Sequence, residues 1–143
     1  MSEERPSREV HVYGDGRGFV VVPVIARVPG EVVEITPVQR VWLTLGRSTS
    51  YELSRALARA LSRGMEAPEN AARWDGDRGR WWNHHLLSVV IRWELDGVLF
   101  TFRQHRADGT WESVDRRRFP PDVTTGALAE ELIRYLGRRL HGG

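Results

Sequence analysis

The feature that most constrains this chain is the way short turn signals separate its β-prone segments. Val10, Val12 and the run from Phe19 to Ile25 flank Gly14-Asp15-Gly16-Arg17-Gly18, with three glycines in five residues. Extended segments joined by so few residues can pair only as antiparallel neighbours, because a parallel partner needs a crossover of a dozen residues or more. The same argument applies at Pro29-Gly30, where Pro presets φ and Gly takes the positive φ of a type II turn. It recurs at Asp96-Gly97, between the apolar run 86–95 and the segment 98–103, and at Ala107-Asp108-Gly109 before Trp111. With Val32, Val33 and Ile35, then Val38, Val41, Trp42, Leu43 and Leu45, residues 10–45 read as a four-stranded antiparallel meander.

Two segments abandon this period of two. Thr49 followed by Glu52 is a capping-box signature, after which Leu53, Leu57, Ala60 and Leu61 recur at helical spacing with Arg55, Arg59 and Arg63 outside. Gly64 is placed to be the left-handed residue that closes this helix. Pro120-Pro121 ends the second group of strands, and Asp122 or Thr124 can cap a terminal helix carrying Leu128, Leu132, Ile133, Leu136 and Leu140. The order ββββ-α-βββ-α predicts an α+β fold, a mainly antiparallel sheet of about seven strands with both helices packed on one face. At 143 residues, 41% hydrophobic and 28% charged, the chain is expected to form a single domain over 1–143, with 1–8 as a flexible tail and 65–83 as a long loop.

Composition excludes several chemistries. There is no Cys, which rules out disulfides, thiolate metal sites and a thiol nucleophile and fits a reducing cytoplasm. The polar segment Met1–Glu9 lacks the apolar stretch of a signal peptide, and the apolar run Phe19–Ala26 is too short to span a bilayer, so no membrane attachment is expected. Gly14-x-Gly16-x-Gly18 lacks the G-x-G-x-x-G spacing and the following helix of a phosphate loop. His84 and His85, adjacent at the start of a strand, would point to opposite faces, and His11, His105 and His141 stand apart in sequence. No metal or cofactor is therefore expected. Asp75, Asp77, Asp108, Glu112, Asp115, Glu130 and Glu131 are scattered without a spacing that enforces an acid–base pair, so the chain reads as a binding protein and not as an enzyme.

Two surfaces are candidates for binding. Trp74, Asp75, Asp77, Arg78, Arg80, Trp81 and Trp82 crowd indoles and guanidiniums into one polar loop, and Trp and Arg are the residues most enriched at interface hot spots. The other reading of those tryptophans is as core plugs that fold the loop down. The second candidate is the basic patch of Arg103, Arg106, Arg116, Arg117 and Arg118, on β-structure that also carries Phe100, Phe102, Trp111 and Phe119. An aromatic sheet face rimmed by Arg is how stacking modules hold single-stranded nucleic acid. Alternation on an antiparallel sheet offers a different account, with the aromatics in the core and the Arg residues as a solvated edge that discourages strand addition.

The runs Phe19-Val20-Val21-Val22-Pro23, Val33-Glu34-Ile35-Thr36-Pro37-Val38 and Tyr51-Glu52-Leu53-Ser54-Arg55-Ala56-Leu57-Ala58-Arg59-Ala60-Leu61 resemble a group of immunity proteins from bacterial contact-dependent growth inhibition systems. The similarity extends loosely to Leu86-Leu87-Ser88-Val89 and covers about two thirds of the chain. The resemblance implies a cytoplasmic toxin inhibitor that binds the C-terminal toxin domain of a protein delivered by a neighbouring cell and blocks its active site. It brings no catalytic residues. Inhibitors of nucleic-acid-cleaving toxins are commonly acidic, whereas this chain carries a net charge of +2. Recognition of such a toxin would then fall to a local acidic spot such as Asp75 with Asp77.

Overall fold

The computed structural model describes residues 8–15, 17–26, 31–43, 48–68, 70–74, 87–106, 108 and 110–141. They form seven strands and two helices: β1 (Arg8–Asp15), β2 (Gly18–Ala26), β3 (Val32–Glu34), β4 (Gln39–Trp42), α1 (Ser48–Glu66), β5 (Leu87–Glu94), β6 (Gly97–His105), β7 (Trp111–Phe119) and α2 (Thr125–His141). All pairings are antiparallel, in the order β3-β2-β1-β5-β6-β7 with β4 also on β2. The expected α+β architecture holds.

The first four strands are not the simple meander expected. β3 pairs with the end of β2, Val24 opposite Glu34, while β4 pairs with its beginning, Val21 opposite Gln39. Both lie on the side of β2 away from β1, so they act as one edge strand interrupted at Ile35–Val38. Pro37 sits inside that interruption, where a residue without an N–H costs the ladder nothing. Ile35 donates its N–H to the Pro23 carbonyl at 3.0 Å and bridges to Arg73 on its other side. Thr36 N–H to Ala72 O at 3.0 Å and Trp74 N–H to Glu34 O at 2.9 Å continue that second pairing. The beginning of the expected 65–83 loop is therefore partly helix, to Glu66, and partly an edge segment covering β3. Pro29-Gly30, His84 and His85 lie outside the described residues.

Burial follows the alternation of the strands. Val10 and Val12 of β1, Phe19 and Val21 of β2, Val89 and Ile91 of β5, and Phe100 and Phe102 of β6 point to the same side and are closed over by Leu53, Leu57 and Ala60 of α1 and Leu128, Leu132 and Leu136 of α2. Phe102 stacks on Tyr135 at 3.9 Å between ring centroids, and Phe100 meets Phe119 edge-on at 5.0 Å. Val20 and Val22 of β2 are buried on the opposite side as well, which is why this central strand is apolar at nearly every position.

The helix ends differ in how they match expectation. Thr124 caps α2, its Oγ1 accepting the Ala127 N–H at 3.1 Å. α1 starts at Ser48, one residue before Thr49, whose hydroxyl donates to the Trp42 carbonyl at 3.5 Å. Gly64 does not end α1. It lies inside the helix, where a Cβ would come within 2.5 Å of the Val24 carbonyl oxygen, so its missing side chain lets the helix rest on β2. Gly97 answers two demands of the β5–β6 hairpin, a φ of +156° and a Cβ position 2.5 Å from the Phe119 carbonyl oxygen. Among the described residues no helix is long and apolar enough to cross a membrane.

Candidate functional site

Both helices cover one face of the sheet, and the other face displays the alternate side chains of the same strands. On β1 these are Glu9, His11 and Tyr13, at positions i, i+2 and i+4. The register sets Glu9 beside Arg92, His11 beside Val22 and Val90, and Tyr13 beside Val20 and Ser88. Ser88 is in turn opposite Arg103 of β6. Polar groups of three strands thus converge on the middle of a face that, among the described residues, carries no helix.

They are tied into one chain of hydrogen bonds. His11 Nδ1 lies 3.0 Å from Glu34 Oε2 and Nε2 lies 2.8 Å from Glu9 Oε2, so a doubly protonated ring donates to both carboxylates. Tyr13 donates its hydroxyl to Glu34 at 2.5 Å, and Arg92 grips the other Glu9 oxygen through Nε at 3.1 Å and an Nη at 3.0 Å. Burial alone would lower the His11 pKa, but hydrogen bonds to Glu34 and Glu9 and the charge of both outweigh it and hold the ring above its ordinary value. Burial likewise opposes ionisation of Glu9, yet His11 and Arg92 together hold its carboxyl below the usual range. Burial first, then the Glu34 carboxylate, push the Tyr13 phenol far up. With both imidazole nitrogens hydrogen-bonded and the phenol donating to Glu34, the network joins β1, β3 and β5 as a clamp.

Beside this clamp opens a cleft of about 350 Å³, lined by Tyr13, Glu31, Glu34, Arg73, Trp74, Arg103 and Trp111 among others. Tyr13 forms its floor, with Trp74 and Trp111 at ring distances of 5.9 Å each, tilted by 44° and 52°. Arg103 lies 5.7 Å from the Trp111 ring and donates to Ser88 Oγ at 2.7 Å, while its buried Nε has no hydrogen-bond partner. Arg73 faces Glu31 at 3.6 Å at the outer wall. The cleft therefore offers three aromatic rings and charges of both signs.

Of the loop candidates, Trp74 is half-buried in this cleft, while Asp75, Asp77, Arg78, Arg80, Trp81 and Trp82 lie outside the described residues. The described chain leaves the cleft at Trp74 and resumes at Leu87 on β5. The basic patch is dispersed by the alternation of the strands. Arg103 belongs to the cleft; Arg106 pairs with Glu112 at 2.7 Å; Arg118 bridges Glu94 and Asp96, each at 3.1 Å; Arg116 is exposed on the last strand. Arg117 points under the helices to the buried Glu131, which also holds Arg134 at 3.1 Å and Arg138 at 3.5 Å. Phe100 and Phe102 are fully buried and present no ring for stacking.

The clamp residues Glu9, His11 and Glu34 were not among the sequence candidates. The alternation of Glu9, His11 and Tyr13 against Val10 and Val12 carries a period-two signal for the first part, since residues two apart share a strand face. Glu34 has no local signal, because it reaches His11 only through the pairing of β3 with β2. Among the described residues no group of three His, Asp or Glu side chains is arranged to hold a metal ion. No protein-family model, curated protein or solved structure matches this chain.

Proposed function

We propose that this chain is a protein-binding inhibitor of the immunity class, and that it recognises a toxin domain through the cleft on the face of its sheet opposite α1 and α2. The observation that carries this reading is the Trp74–Tyr13–Trp111 row set among Arg73, Arg103, Glu31 and Glu34. Aromatic rings flanked by charges of both signs suit a protein surface, where indoles supply most of the affinity and charged neighbours select the partner. The Tyr13 floor is locked by its bond to Glu34, so little ordering remains for binding to impose.

A single-stranded nucleic-acid-binding role is the less supported alternative. Phosphate backbones call for a rim of one sign, whereas Arg106, Arg117 and Arg118 each face a carboxylate. The test is co-expression with toxin domains encoded beside the gene. The expected outcome is rescue of growth and a stable complex, both lost in Trp74→Ala/Trp111→Ala. A folded protein that forms no such complex, yet binds single-stranded oligonucleotides with a steep dependence on salt, would overturn the reading in favour of the alternative.

A further inference from the structure

A second groove lies away from this cleft, between the edge strand β4 and helix α1, with a volume of about 320 Å³. On one side β4 pairs with β2; on the other, among the described residues, it has no strand partner. Arg40 of β4 and Arg55 and Arg59 of α1 line the groove, with Glu52 as the single carboxylate among the lining residues. Tyr51, 63% exposed, lines it, and Trp42, 55% exposed, follows Val41 at the end of β4. The guanidinium of Arg40 lies over the Trp42 ring at 4.2 Å, and that of Arg55 lies 5.6 Å from the Tyr51 ring. Gln39 ties strand to helix through its amide, which donates to the Ala56 carbonyl at 3.0 Å, so the width of the groove is held.

An edge strand beside a helix is the geometry in which an extended peptide can add as a further strand, its backbone pairing with the edge and alternate side chains falling toward the helix. The charge selects among such peptides. The exposed guanidiniums of Arg55 and Arg59 favour acidic side chains, and the planar guanidinium grips a carboxylate through two N–H groups at once. We propose that the β4–α1 groove binds an extended acidic peptide segment, which continues the sheet beyond β4 and places its carboxylates on Arg55 and Arg59. This surface is independent of the cleft beside Tyr13 and does not rest on the immunity reading.

The test uses the full chain and an array of octapeptides in which Glu alternates with Val, Ile or Thr, together with the same array built with Lys and an oligonucleotide of equal negative charge. Acidic members are expected to bind and to protect from hydrogen exchange the amides of Arg40 and Trp42, the β4 residues whose backbone faces away from β2. N-methylation of alternate peptide amides should abolish binding, because it removes the ladder donors. Arg55→Glu/Arg59→Glu, at two exposed helix positions, should keep the parent's thermal midpoint and weaken binding at least tenfold. Trp111→Ala should leave peptide affinity unchanged. Failure of every acidic peptide to protect β4, equal binding of the Lys array, or stronger binding of the oligonucleotide would each overturn the proposal.

Discussion

On β6, Phe100 and Phe102 point beneath the helices, while Thr101 and Arg103, one residue removed, point to the open face. The same alternation runs through β1, where Val10 and Val12 enter the core and Glu9, His11 and Tyr13 do not. The covered face is held by area: apolar side chains of five strands meet two amphipathic helices, and each contact is exchangeable for another of similar volume. The open face is held by specific pairs, each of which leaves an unsatisfied group if its partner is lost. The first arrangement contributes stability that does not depend on pH. The second sets which groups are presented, and in what charge state.

The sharpest test of this contrast is truncation on the covered side. Phe100→Ala should cost about 3–5 kcal/mol, because a fully buried ring in contact with Phe102 and Phe119 leaves a cavity that the sheet cannot close. Leu57→Ala, at the centre of the buried stripe of α1, should cost roughly 2–5 kcal/mol. Denaturant midpoints at constant slope measure both. A loss below about 1 kcal/mol for either would mean that the covered face tolerates voids.

Sequence reasoning reached the covered face more readily than the open one. Hydrophobic periodicity located both helices, because burial of Leu53, Leu57, Leu128, Leu132 and Leu136 is a local consequence of spacing. Of Asp122 and Thr124, the two caps the sequence offers for α2, Thr124 is the one that accepts the Ala127 N–H. Gly64 does not stop the helix; it permits a close approach to Val24 across the fold, and a glycine alone does not distinguish the two uses. The three consecutive Arg residues of β7 looked like one patch; a strand sends Arg117 to the opposite side from Arg116 and Arg118, and Glu131 lies too far along the chain to be foreseen as its partner. The cleft brings together Tyr13, Trp74, Arg103 and Trp111 from four separate segments, and only strand order does that.

The open face should reveal itself through pH. Because the folded protein holds the His11 proton more tightly than the unfolded chain, the stability this confers is complete below the ordinary histidine pKa of about 6.5 and is lost as pH rises through the raised value of His11. Glu9 behaves oppositely. Its pKa is lowered on folding, so its contribution is complete above the ordinary 4.5 and is lost as pH falls through the lowered value. Stability from the clamp should therefore peak between those two values. His11→Gln should cost about 2–3 kcal/mol at pH 6, where charge-assisted bonds to two carboxylates are lost, and the difference should shrink as pH rises. Urea unfolding across the pH range tests this; a parallel offset between the two curves would show that His11 is not charged in the folded protein.

The cleft tryptophans should separate binding from folding. Trp111→Ala is expected to weaken the partner complex by about 2 kcal/mol, roughly thirtyfold, with a smaller change in the midpoint of unfolding, because the ring is only half-buried. Trp74→Ala should behave similarly. Paired measurements of affinity and thermal midpoint decide the matter: lost stability with unchanged affinity per folded molecule would make both rings supports for Tyr13 and not contacts.

The smallest expected effect falls on Arg116, and it tests the contrast from the other direction. This side chain lies on the last strand of the sheet, exposed, on the open side but three strands from Tyr13. If presentation depends on the paired groups of the cleft and not on positive charge spread over β7, Arg116→Ala should change stability by less than about 0.5 kcal/mol and affinity for a protein partner by less than about 1 kcal/mol. Removing a rim charge should appear mainly in the association rate and its dependence on salt. Stopped-flow association at two ionic strengths, with dissociation followed separately, resolves these contributions. A marked rise in the dissociation rate would place Arg116 in direct contact with the partner, and the recognition surface would then have to extend from the cleft to the edge of the sheet.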